Sequence, residues 1–137
     1  MQEKLDNKEI SIDTYTVEFR ITGSFLRASE ITELLALSPS QTTFANSNEN
    51  IWSYDGVSTE NNFVEQEWKS LEEGLIFILD KLLPKKDLIE SNLKESKKYL
   101  WCGCFQETLA GGLTFSPRLL NKLSEFNTEL IIRNYCS

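Results

Sequence analysis

The sequence predicts an α+β domain, a mostly antiparallel mixed sheet with helices packed on it, in the order β-α-β-β-α-α-β-α-β. Three stretches carry that prediction. Residues 14–22 alternate Tyr15, Val17, Phe19 and Ile21 with Thr14, Thr16, Glu18, Arg20 and Thr22, the period of a strand with one wet face. Residues 64–83 place Val64, Trp68, Leu71, Leu75, Ile78, Leu79 and Leu82 at steps of mostly three and four, which gathers them on one stripe of a long helix. Ser116-Pro117 opens a late helix, with serine as N-cap and proline in the first position.

The remaining elements fall between these. Residues 1–13 mix Glu3, Lys4, Asp6, Lys8 and Glu9 with few apolar groups, an extended or poorly ordered start to a single domain over 1–137. Gly23-Ser24 turns the chain into a helix of about ten residues with Ile31, Leu34, Leu35 and Leu37 inward, ended by Pro39. Residues 41–44 and 50–54 form a hairpin across 45–49, and Asp55-Gly56 is a turn.

On the long helix, Glu65, Lys69, Glu72, Glu73 and Asp80 lie off the stripe, with Glu65 and Lys69 at i, i+4 spacing. Ile76 and Phe77 widen the stripe into a belt that needs cover from neighbouring helices or from a partner. Gly74 marks a close approach of another backbone. Pro84 ends this helix and starts another, with Leu88, Ile89, Asn92 and Leu93 as its stripe. Residues 99–105 read as a central strand, with Tyr99, Trp101 and Phe105 on one face and Leu100, Cys102 and Cys104 on the other. After a loop at 108–112 and a short extended piece at 113–115, the last helix turns Leu119, Leu120, Leu123 and Phe126 inward. Asn127 ends it, and residues 128–135 close the chain as a strand, Leu130 and Ile132 alternating with Glu129, Ile131, Arg133 and Tyr135.

Twenty-one acidic against fourteen basic side chains give a formal charge of −7, which repels phosphate backbones and anionic lipid. Neither nucleic acid nor membrane is the expected partner; a basic protein is. With no secretory apolar segment, no run long enough to span a bilayer and an odd count of three cysteines, the expected compartment is the cytoplasm. The chain has no histidine, the commonest residue for proton transfer near neutrality and for transition-metal ligation. No glycine-rich nucleotide motif occurs, so neither a metal nor a cofactor is expected. Cys102, Cys104 and Cys136 read as small hydrophobes, and Trp52, Trp68, Trp101, Tyr54 and Tyr99 as core aromatics, because no basic residues interleave with them as a stacking platform requires.

The opening strand, Gly23, Leu26, Ile31-Thr32, Leu35, Leu37 and Pro39, then Trp52, Ser116-Pro117, Leu120 and a last strand ending near Tyr135, resemble a bacterial family catalogued only as domain of unknown function 4279. The likeness covers most of the chain from Tyr15 onward. This chain has Arg27-Ala28 where the family usually opens its first helix with Asp-Pro, and Ala36 where it usually has glycine. The resemblance implies a small α+β domain with no established activity; some such uncharacterised bacterial domains look like immunity proteins of secreted toxins.

The expected function is therefore a non-catalytic binding protein, an immunity protein that blocks a toxin. Glu65, Glu72, Glu73 and Asp80 would steer onto a basic partner, with Trp52 and Tyr54 as aromatic anchors. Two alternatives stand beside it. One is a small enzyme or ligand-binding domain with a pocket between the sheet and the first helix, and with Cys102, Cys104 or Tyr54 as the reactive group. The other is an accessory domain that self-associates through Ile76 and Phe77.

Overall fold

A computed structural model of the chain describes residues 13–23, 27–42, 50–56, 68–106 and 112–136, without the side chains of Asn50 and Cys136. Strand β1 (Thr14–Gly23) follows the alternation of its sequence: Val17, Phe19 and Ile21 are buried, while Thr16 is exposed and Glu18 and Arg20 are half-buried. It pairs antiparallel with β2 (Asn50–Tyr54) on one side and with β3 (Lys97–Gln106) on the other, and β3 pairs parallel with β4 (Glu129–Cys136). The sheet order is β2-β1-β3-β4, so β3 is central, as its two apolar faces predict. Element order matches the sequence reading. The first arm of the hairpin takes the form of a single antiparallel bridge, Gln41 to Ser53, and Thr43 and Phe44 lie outside the described residues.

Among the described residues there are four helices, α1 (Ala28–Leu35), α2 (Leu71–Leu82), α3 (Lys86–Asn92) and α4 (Pro117–Phe126), with a 3-10 turn at Leu83–Lys85 carrying Pro84. The stripe of α2 is buried as expected at Leu71, Leu75, Ile78, Leu79 and Leu82. Its start is a correction. The helix opens at Leu71, because Ser70 accepts the Glu73 N–H at 3.1 Å and the Glu73 carboxylate accepts the Lys69 N–H at 2.7 Å, a cap closed from both ends. Lys69 and Trp68 therefore precede the helix, and Val64 and Glu65 lie outside the described residues.

Trp68 folds back against Phe77, their ring centroids 5.2 Å apart. Gly74 makes room for that return: a β-carbon there would sit 2.8 Å from both Trp68 Cδ1 and Val17 Cγ2. The close approach is by side chains, where the sequence suggested backbone. Ile76 and Phe77 are half-buried and pack against the core, and the Lys81 ammonium lies 5.5 Å over the Phe77 ring. The belt is thus covered largely from within the chain. Two other stripes are narrower than their spacing suggests, since Leu88 on α3 and Leu120 on α4 are exposed. A seven-residue helix and a helix lying mainly on α2 each bury only one side.

Candidate functional site

The buried set of the sheet comes from one face. Val17, Phe19 and Ile21 of β1, Leu100, Cys102 and Cys104 of β3, Trp52 and Tyr54 of β2 and the inward residues of the helices form one cluster. The opposite face carries no helix among the described residues. At the β2 end it is nevertheless buried, through Ile51, Ser53 and Thr22. Across β1, β3 and β4 no described helix covers it: Thr16, Phe105, Arg133 and Tyr135 are exposed, and Glu18, Arg20, Trp101 and Ile131 are half-buried.

Register defines what that open face presents. Thr14, Thr16, Glu18 and Arg20 lie opposite Phe105, Gly103, Trp101 and Tyr99, and these in turn lie opposite Tyr135, Arg133, Ile131 and Glu129. Phe105 and Tyr135 are 42% and 43% exposed, values high enough to make them surface residues although both are large aromatics. Their rings stack at 4.8 Å and 10°, about the spacing of adjacent strands, so the pair stands on edge above the sheet. Trp101 lies beneath the Arg20 guanidinium, 4.5 Å from ring centroid to carbon, and Glu18 fixes that guanidinium by accepting from its Nε at 2.9 Å. Lys97 sits 5.5 Å over Tyr99.

Gly103 joins these groups into one surface. A β-carbon at this position would meet Trp101 and Phe105 ring carbons at 3.1 Å and Thr16 Oγ1 at 2.8 Å. The two rings lean over the bare backbone and bury it, leaving an uninterrupted aromatic strip along β3.

Five of the residues expected to bind a partner make contacts within the chain. Trp52 and Tyr54 are fully buried, their rings stacked at 6.4 Å, and Trp52 Nε1 donates to Thr32 Oγ1 on α1 at 2.9 Å. They are core residues and not surface anchors, because β2 is buried on both faces. Glu72 Oε1 accepts the Ser116 N–H at 2.6 Å, Glu73 closes the α2 cap, and Asp80 pairs with Lys122 Nζ at 2.7 Å. These carboxylates tie elements of the chain together. Glu65 lies outside the described residues.

The reactive-group reading also meets its geometry here. Cys102 and Cys104 are both fully buried on the core face, and desolvation pushes the Cys102 thiol up to about 12, with the neighbouring Cys104 next in effect. Burial raises Cys104 as well. Both shifts run opposite to the activation a nucleophilic thiol needs. Between α1 and the sheet the space is filled by Ile31 and Leu35. An open cleft of about 310 Å³ lies between α1 and the end of α3, lined by residues such as Glu30, Ile31, Leu34, Asn92 and Leu93, and neither cysteine nor Tyr54 lines it. Among the described residues no cluster of acidic or cysteine side chains could hold a metal ion, and no helix is long and apolar enough to cross a membrane.

The family model described as a domain of unknown function (DUF4279) matches residues 13–137. The chain belongs to the DUF4279 family. Comparison with curated proteins and with solved structures returned no match. Both ends of α1 in this DUF4279 domain lack the residue type that usually caps a helix. Ala36 is the C-cap and adopts the left-handed conformation, φ 57° and ψ 38°, where glycine carries no steric cost. Arg27 is the N-cap, extended, with no side-chain bond to the helix, where aspartate would accept from it.

Sequence reasoning placed Tyr99, Trp101 and Phe105 on one face of a strand but read that face as core. Arg20 meets Trp101 across strands, which the sequence does not show, whereas Lys97 lies over Tyr99 from two residues earlier on the same strand. The signal that could have found the site was the wet side of β1: Thr16, Glu18 and Arg20 mark the same face of its neighbour as open.

Proposed function

We propose that the domain is a non-catalytic protein-binding module whose recognition surface is the open face of β1, β3 and β4. Trp101, Phe105, Ile131 and Tyr135 are its anchors and Arg20 and Arg133 its polar frame. The observation that carries this reading is the exposed Phe105–Tyr135 stack beside Trp101 on a sheet face that no described helix covers. Tryptophan, tyrosine and arginine are the residue types that dominate binding energy at protein interfaces. A flat platform for nucleic-acid bases needs rings laid against the sheet, whereas this pair stands on edge.

The chain's charge of −7 favours a basic partner, steering the encounter while the aromatic strip supplies the contact. A small acidic inhibitor of a basic toxin, acting in the cytoplasm by covering the toxin's active surface, is the function this combination supports best. The test is paired capture from host extract with the wild-type chain and with Phe105→Ser/Tyr135→Ser. Both substitutions are at exposed positions, and circular dichroism verifies the fold. A protein held by the wild type and lost by the variant supports the reading. Equal retention by both chains, or retention of single-stranded nucleic acid instead, overturns it.

A further inference from the structure

The two edges of the sheet are treated differently. At the β2 edge the backbone of Ser53 is taken up by Ser40 and Gln41, whose N–H and C=O groups pair with it at 2.7 and 2.9 Å. At the β4 edge no strand pairs among the described residues. Exposed edges are normally blunted by charged side chains, proline, a bulge or brevity. Strand β4 has only the first: it runs eight residues without proline, holds one-to-one register with β3 from Glu129 to Cys136, and has Leu130, Ile131 and Ile132 near its centre. Its only charges are Glu129 and Arg133, opposite in sign and two residues either side of Ile131.

We propose that the β4 edge is a homodimer interface, in which β4 pairs antiparallel with β4 of a second copy about a two-fold axis at Ile131. In that register Glu129 of each copy faces Arg133 of the other, Leu130 faces Ile132, and Ile131 faces its own counterpart. Charge and apolar positions are matched simultaneously. Sliding the axis by one residue places Ile131 against Arg133 or against Glu129 and loses the ion pairs. Because Ile131 lies beside Trp101, the pairing runs the two open faces into one eight-stranded surface with Trp101, Ile131, Ile131 and Trp101 across its middle. The proposal stands independently of what that surface binds.

The experiment is sedimentation equilibrium of the full chain, alone and as the Glu129→Arg and Arg133→Glu variants, both at exposed positions. The wild type is expected to dimerise. Each variant alone places like charges opposite one another and should dimerise at least about tenfold more weakly. An equimolar mixture of the two variants re-creates both opposite-charge pairs and should dimerise again. A wild type that stays monomeric at hundred-micromolar concentration overturns the proposal. So does a dimer indifferent to both variants, or variants whose mixture stays apart.

Discussion

Glu72, in the first turn of α2, accepts the backbone N–H of Ser116, the N-cap of α4, at 2.6 Å. One carboxylate thus serves two helix N-termini, lying in the positive end of its own helix and taking up a donor at the start of another. The same serine caps α4 by accepting the Leu119 N–H at 3.2 Å. An acidic residue read from sequence as a docking group is a structural joint.

Glu72→Ala should therefore lower stability by about 1.5–3 kcal/mol, the scale of a hydrogen bond to a charged group. Ser116→Ala should cost about 1 kcal/mol. Since both act on one helix start, the double variant should depart from additivity. Urea denaturation monitored by tryptophan fluorescence measures all three.

The ends of α1 offer the reverse test. Ala36→Gly relieves a left-handed alanine and should stabilise by about 1 kcal/mol, the steric cost outweighing the added flexibility of the unfolded chain. Arg27→Asp adds the missing cap and should contribute about 0.5–1 kcal/mol. A fall in melting temperature for either would contradict the cap geometry.

Gly74→Ala separates packing from propensity. Alanine is favoured by about 1 kcal/mol in a helix interior, yet its β-carbon would meet Trp68 and Val17 at 2.8 Å. Overpacking of that kind typically costs about 1–3 kcal/mol, so the substitution should be destabilising despite the better helix former.

The buried thiols predict alkaline lability. In the folded chain Cys102 holds its proton to about pH 12, whereas the unfolded chain releases it near pH 9. Between those values the unfolded state binds fewer protons, so stability falls as pH rises. Cys102→Ala should flatten that slope while lowering stability at neutral pH by leaving a small cavity. In a Cys136→Ser background, a disulfide reagent should modify no cysteine until the chain unfolds.

Much of the fold was legible because its signals are local. The alternation of Val17, Phe19 and Ile21, the Ser116-Pro117 start and the stripe from Leu71 to Leu82 each lie within one element. The α2 start was misplaced because Val64 and Trp68 keep helical spacing with Leu71, while the signature that stops the helix, Ser70 with Glu73, was there to be read. The site was harder. Which face of β3 is covered depends on where α2 settles, and whether Glu72 faces water depends on a residue in a distant helix. Neither relationship is written in the spacing of neighbours.

The place of β1 in the sheet has a consequence for how the chain is made. Strand β1 leaves the ribosome well ahead of its main partner: its longest pairing is with β3, which emerges only after α1, β2, α2 and α3. Until then β1 has β2 alone, and a two-stranded sheet is marginal in water. Val17, Phe19 and Ile21 must be sheltered meanwhile by the intervening helices, so closing the sheet is a long-range event. The nascent chain is most exposed to aggregation in the interval before Leu100 and Cys102 arrive to complete the core.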